Sequence, residues 1–151
     1  MSRYLITHPS ISPEDYDISS DPRKVKALYV PCNKNIPEVM YDTPKNLRSK
    51  FLKDSSNMQF VALHPAYHMY LDSFLQVQIH NVNLCATFLY RSSIQTFLGI
   101  NPSTSIYGDV LFFGSVSPMT NYNHDVDYSV PYELIEQVAR YFDYKFVFNV
   151  E

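Results

Sequence analysis

Residues 110–116 read Val-Leu-Phe-Phe-Gly-Ser-Val, which is a nearly continuous apolar run. Gly108-Asp109 precedes the run and Ser117-Pro118 follows it, and such residues commonly bound strands. A short apolar run between turn residues is typical of a strand that is buried on both faces. The run therefore predicts a central strand. Gly114 within it predicts a bulge, or a point where another backbone segment approaches closely.

Alternation of apolar and polar residues predicts further strands on both sides of this run. The clearest example is 74–80, where Leu, Val and Ile alternate with Gln, Gln and His. Asn81-Val82-Asn83 is a turn candidate, so 84–90 is predicted to be the hairpin partner of 74–80. Three more strands are predicted by their composition: 25–32, 58–63 and a closing or edge strand at 145–150.

Two helices are predicted by capping signals. Asp42-Thr43-Pro44 places a capping residue before a proline, which predicts a helix that runs to about Lys53. Ser129 is the predicted cap of a second helix over 131–143, which carries acidic residues in its first turns and apolar residues at helical spacing.

The predicted order is β-α-β-β-β-β-α-β, which defines an α+β fold. Consecutive hairpins favour a mainly antiparallel sheet of five to six strands, with both helices packed on one face. Residues 1–24 are rich in proline and acidic residues and predict an arm or loop. Residues 25–151 then form a single domain.

Composition agrees with one compact core. The chain has 151 residues, of which 46% are hydrophobic and 18% are charged. Asp72 and Arg91 are the only Asp, Glu, Lys or Arg residues in 55–108, so this stretch is the predicted interior. No run of 18 apolar residues is present, so no membrane-spanning helix is predicted.

Location and cofactor content are predicted from absent signals. The N-terminus shows no secretory signal, which predicts a cytoplasmic protein in which Cys32 and Cys85 are free thiols. The three glycines, Gly99, Gly108 and Gly114, do not form a dinucleotide-binding or phosphate-binding motif, so no cofactor is predicted.

One part of the chain resembles a known family. Residues 98–103 (Leu-Gly-Ile-Asn-Pro-Ser) and 106–114 (Ile-Tyr-Gly-Asp-Val-Leu-Phe-Phe-Gly), preceded by the strand at 26–31, resemble a small phage or large-DNA-virus domain family of unknown function. The resemblance covers residues 26 to about 142. It implies a virus-encoded or phage-encoded accessory protein, located in the host cytoplasm, and it brings no catalytic residues.

Histidines and carboxylates form the candidate metal site. His64 and His68 are four residues apart, which is ligand spacing on a helix, and the loop 121–127 contains His124, Asp125 and Asp127. If these residues converge, they predict a metal-dependent hydrolase. The alternative is that the histidines have a structural or surface role and that the loop residues are turn formers.

Basic residues form a candidate nucleic-acid site beside the aromatic residues Tyr29 and Tyr41. Its members are Arg23, Lys24, Lys26, Lys45, Arg48, Lys50 and Lys53. Lysine and arginine in a groove contact phosphates, whereas a solvated helix face explains the same pattern. The net charge of −3 favours the solvated face.

Aromatic residues are concentrated at the C-terminus, at Tyr141, Phe142, Tyr144, Phe146 and Phe148. They either close the core or form an interface, because aromatic residues are enriched at interface centres. No catalytic constellation has the required spacing. The sequence therefore predicts a non-enzymatic accessory protein that binds a protein partner, such as a host protein, with self-association and nucleic-acid binding as alternatives.

Overall fold

The structure of the protein is a computed structural model, which describes residues 2–6, 23–32, 36–51, 58–73, 76, 82–115, 127–142 and 146–150. These residues contain seven strands and three helices. The strands are β1 (Ser2–Ile6), β2 (Val25–Val30), β3 (Glu38–Asp42), β4 (Met58–His64), β5 (Tyr67–Asp72), β6 (Val110–Gly114) and β7 (Phe146–Val150). The helices are α1 (Pro44–Phe51), α2 (Leu84–Leu98) and α3 (Tyr132–Tyr141).

The seven strands form one sheet in the order β1-β7-β3-β2-β6-β5-β4. Every neighbouring pair is antiparallel except β3 and β7, which are parallel. The predicted α+β class with a mainly antiparallel sheet is therefore confirmed. The predicted inner strand is also confirmed, because β6 lies between β2 and β5 and all five of its residues are buried.

The sheet separates two apolar layers, because successive side chains of a strand point to opposite faces. Leu28 and Phe112 lie in the larger layer, which includes the buried faces of α2 and α3. Ala27 and Phe113 lie in the smaller layer, together with Leu47 of α1. The prediction that the helices share one face is therefore wrong: α1 packs on one face, and α2 and α3 pack on the other.

Residues 84–90 are helical, and the predicted hairpin strand there is wrong. Asn83 caps α2, because its side-chain oxygen accepts a hydrogen bond of 3.0 Å from the backbone N–H of Ala86. The buried residues of the helix include Cys85, Ala86, Leu89 and Ser93, which lie on one side of a helix. These buried positions continue to Ser93 and the helix itself continues to Leu98, beyond the short apolar run that suggested a strand. Apart from Gln76, the predicted strand 74–80 lies outside the described residues.

The chain ends also differ from the expectation. β1 pairs with β7 within the region that was predicted as an arm, and residues 7–22 lie outside the described part of the chain. Because β7 is bonded to both β1 and β3, it is not an edge strand.

Two further elements differ from the sequence prediction. Strand β3 was not predicted. The residue at the N-cap position of α3 is Pro131, which makes no side-chain capping bond, rather than Ser129. The Ser129 hydroxyl instead accepts a hydrogen bond of 2.9 Å from the backbone N–H of Lys26.

Candidate functional site

The centre of the polar site is His68 on strand β5, which is only 2% exposed. Its ring lies between two phenyl rings, with centroid distances of 4.7 Å to Phe60 and 6.1 Å to Phe113. Phe113 is the direct cross-strand neighbour of His68 on β6, and Phe60 is contributed by β4. Three adjacent strands therefore fix the imidazole within an apolar layer that excludes water.

Both ring nitrogens of His68 are hydrogen-bonded. Nδ1 lies 2.6 Å from the Oγ atom of Ser115, and Nε2 lies 2.6 Å from the Oδ1 atom of Asp127. A carboxylate only accepts hydrogen bonds, so in the neutral imidazole Nε2 carries the proton and Nδ1 accepts from the hydroxyl. A hydroxyl, an imidazole and a carboxylate are thus connected in one line.

Asp127 is the most buried member of this line, because its side chain is 0% exposed. Its Oδ1 atom also accepts a hydrogen bond of 2.9 Å from the Tyr70 hydroxyl, and Oδ2 forms an ion pair with the guanidinium of Arg48. Arg48 reaches from α1 across the ring of Tyr70. Burial and the neighbouring Asp127 carboxylate raise the pKa of the Tyr70 hydroxyl, so Tyr70 remains a donor at neutral pH.

The absence of a side chain at Gly114 allows the segment that carries Asp127 to lie close to His68. The segment 127–130 pairs antiparallel with the end of β6 at Gly114, where the backbone groups of Gly114 and Tyr128 exchange hydrogen bonds of 2.7 and 2.9 Å. A Cβ atom on Gly114 would lie 2.0 Å from the carbonyl oxygen of Ser129, so no side chain fits. The predicted close approach at Gly114 is confirmed. The backbone N–H of Val130 donates a hydrogen bond to the carbonyl oxygen of Lys26, and this bond anchors the other side of the segment.

The candidate metal residues are only partly brought together. The His64 ring stacks on Tyr67, which belongs to the larger apolar layer, whereas His68 faces the smaller layer. The two imidazoles therefore lie on opposite faces of the sheet. Within the described residues, no group of three or more potential ligands is present. Asp127 meets His68 directly, while His124 and Asp125 lie outside the described residues.

The candidate basic residues are divided by the sheet. Strand alternation places Lys26 on the same face of the sheet as Leu28, which is the face of the larger apolar layer. The ammonium group of Lys26 lies 5.7 Å from the centre of the Tyr41 ring. Lys24 lies over the same ring at 5.6 Å.

The residues Lys45, Arg48 and Lys50 belong to α1 on the opposite face. Lys26 is 2% exposed and Arg48 is paired with Asp127, and Lys53 lies outside the described residues. Arg23 is exposed.

The candidate interface residues have different environments. Tyr141 is 45% exposed, and its ring centroid lies 6.5 Å from that of Phe88 on α2. Phe142 is half-buried against the larger apolar layer. Tyr144 lies outside the described residues, and for Phe146 and Phe148 only the backbone of β7 is described.

The two cysteines are free thiols, as predicted. Burial raises the pKa of Cys85 to about 12, so this thiol stays protonated and packs as an apolar group. Burial and the Asp109 carboxylate also raise the pKa of Cys32, whose backbone N–H donates a hydrogen bond of 2.9 Å to Asp109. Neither environment favours a thiolate.

The sequence indicated His68 and Asp127 as candidate metal ligands and Arg48 as a candidate nucleic-acid contact, but it did not indicate that they meet. Tyr70 lies two residues after His68 on β5, Ser115 and Arg48 come from distant places in the chain, and Ser115 and Tyr70 carry no local motif. One signal was present, because the predicted close approach at Gly114 lies directly before Ser115.

Comparisons of the chain with protein-family models, curated proteins and solved structures found no match. The resemblance to the phage and virus family therefore stays a prediction. Among the helices of the described residues, none is long and apolar enough to cross a membrane.

Proposed function

We propose that this protein acts by binding another protein through an exposed apolar surface formed by Leu84 and Phe88 of α2 and Tyr141 of α3. This surface is called the α2–α3 patch. The observation that carries the proposal is the exposed pair of aromatic rings: Phe88 is 54% exposed and Tyr141 is 45% exposed. Leu84, one helical turn before Phe88, is 55% exposed. Adjacent exposed apolar side chains commonly mark an interaction site.

The outer face of α2 has little charge to oppose apolar contact. Arg91 is the only acidic or basic residue of this helix. Its guanidinium donates hydrogen bonds of 3.0 and 2.9 Å to the carbonyl oxygens of Thr104 and Ser103, so the charge is held against its own chain. Desolvating this face during binding therefore requires no unpaired charge to be buried.

The chemistry of the patch favours a partner that presents apolar side chains from an amphipathic helix. Leu84 and Phe88 are four residues apart, and such a helix repeats its anchors at three and four residues. Aromatic residues at the centre of such a contact contribute much of the binding energy. The family resemblance implies a virus-encoded or phage-encoded accessory protein, and for such a protein the expected partner is a host protein.

Photo-crosslinking tests this proposal. A photoreactive phenylalanine replaces Phe88 in one variant and Tyr128 in a matched control, since Tyr128 is also an exposed aromatic residue, at 43%. In host extract, we expect a discrete heavier product from position 88 and none from position 128. The additional change Tyr141→Ser should reduce that product at least tenfold.

Two results would contradict the proposal. Equal crosslinking from both positions would show nonspecific contact. A product that consists of two copies of this chain would instead assign the patch to self-association, and light scattering of the purified protein would show the corresponding dimer mass.

A further inference from the structure

The geometry points to Ser115 as a nucleophile that His68 and Asp127 activate for the hydrolysis of esters with short acyl groups. This activity is separate from partner binding, because the residues lie on the face of the sheet opposite α2 and α3.

The hydroxyl, the imidazole and the carboxylate have the order and spacing of a serine nucleophile, its base and the group that orients the base. A serine nucleophile needs a base within hydrogen-bonding reach, and the base needs a third group that orients it. Here the Oγ atom of Ser115 lies 2.6 Å from His68, and His68 lies 2.6 Å from Asp127. The hydroxyl faces Nδ1 and the carboxylate faces Nε2. Nδ1 is free to take the proton because Nε2–H is held by the carboxylate.

The carboxylate of Asp127 is held in a fixed position. Oδ1 of Asp127 accepts hydrogen bonds from His68 and Tyr70, while Oδ2 is paired with Arg48. The carboxylate therefore cannot rotate away when a proton reaches His68. Its negative charge stabilises the imidazolium that forms, and this stabilisation is strong in a site from which water is excluded.

Solvent exposure differs among the three hydrogen-bonded groups. Asp127 and His68 are buried, whereas Ser115 is half-buried. The nucleophilic end is therefore the end that solvent and substrate can approach. Because access to Ser115 is partial, a short acyl chain fits this approach better than a bulky one.

The reaction proceeds in two balanced steps. The Oγ atom attacks the ester carbonyl carbon while its proton moves to Nδ1 of His68, and the bond between the acyl carbon and the alcohol oxygen breaks. The alcohol leaves with the proton from Nδ1, and an acyl ester of Ser115 remains. A water molecule then attacks the acyl carbon and gives a proton to Nδ1. This proton returns to Oγ as the carboxylic acid leaves.

The test uses the complete wild-type chain first. A fluorophosphonate probe is added, and the labelled peptide is mapped by mass spectrometry, which requires no variant to fold. We expect one adduct, on Ser115, and hydrolysis of p-nitrophenyl acetate above the rate in buffer. An adduct on another residue, or none, would overturn the proposal.

Variants then separate catalysis from a purely structural network. Ser115→Ala removes one oxygen atom and should lower the hydrolysis rate at least 100-fold, which is in the range of about 10²–10⁴ for general-base catalysis. His68→Gln should also abolish labelling of Ser115. The matched control Ser105→Ala, at a serine that bonds Arg91, should keep the wild-type rate. If Ser115→Ala retains the rate, the hydrogen bonds are structural only and the proposal is wrong.

Discussion

At the scale of single residues, the addition of one methyl group at Gly114 should have a large effect on stability. In Gly114→Ala, the new methyl group would overlap the carbonyl of Ser129, so the segment 127–130 must move. We expect the free energy of unfolding to fall by about 3 kcal/mol, at the upper end for overpacked sites. Urea denaturation measures this loss.

Gly99→Ala is the matched control. Gly99 ends α2 with a φ of 67° and has no atom within 4 Å of an added Cβ. The substitution there should cost only about 1 kcal/mol, because the strain is confined to the backbone. Equal losses for the two variants would show that the contact between Gly114 and Ser129 is not tight.

His64 should make stability depend on pH. Its Nδ1 atom accepts a hydrogen bond of 2.9 Å from the backbone N–H of Ala66, and burial lowers its pKa below the usual 6.5. Below that value the unfolded chain binds more protons than the native protein. The free energy of unfolding should therefore be highest above pH 6.5 and fall as the pH decreases toward the native pKa.

The variant His64→Asn isolates this effect. An asparagine oxygen can accept the same hydrogen bond from the backbone two residues further on, but it does not titrate. Denaturation midpoints measured between pH 7.5 and 5 should decline less steeply for the variant than for the wild type. Parallel curves would mean that His64 does not contribute to the pH dependence.

At the scale of elements, Asn83 connects the start of α2 to the sheet. Its oxygen caps the helix, and its amide donates hydrogen bonds of 3.0 Å to the carbonyl oxygens of Val30 and Gly108. Asn83→Ala should lower the free energy of unfolding by about 3 kcal/mol, because a cap is lost and buried carbonyls lose their donors. Thermal and urea denaturation check this value.

Asn46→Ala is the comparison for this effect. Asn46 is exposed in the first turn of α1, where its side-chain amide donates a hydrogen bond of 3.2 Å to Oδ1 of Asp42. The substitution should cost less than about 0.5 kcal/mol, as is usual for surface positions. Similar losses at Asn46 and Asn83 would contradict the connecting role of Asn83.

The start of α2 also shows why an element can be misread from sequence. Residues 84–90 are apolar at almost every position, so a short window does not separate a strand from a buried helix. What decides the conformation is the capping bond of Asn83 and the continuation of the buried positions to Ser93. By contrast, the signal at Asp42-Thr43-Pro44 predicted α1 because its cap and proline are adjacent in the sequence.

At the scale of the whole molecule, the pair of Arg48 and Asp127 connects α1 to the segment 127–130. Arg48→Met should lower the free energy of unfolding by about 2 kcal/mol, since it leaves a buried carboxylate without its cation. This is less than the ~3–5 kcal/mol typical of fully buried pairs, because the Arg48 side chain keeps 26% of its surface exposed.

A double-mutant cycle with Asp127→Asn measures the interaction itself. The double variant should be more stable than the sum of the single losses predicts, by at least about 1 kcal/mol. Additive losses would show that the two side chains do not interact in solution.

The residue types and their local pattern determined the α+β class, the inner strand β6 and the helix α1, because each depends on neighbours in the chain. Only the tertiary structure decided that the helices cover both faces, that His64 and His68 are on opposite faces, and that Ser115, His68 and Asp127 meet. Those groups are 47 and 59 residues apart along the chain. Their contact depends on the order in which strands pair and on the close approach of segment 127–130 that Gly114 permits, and neither is a property of any local stretch of sequence.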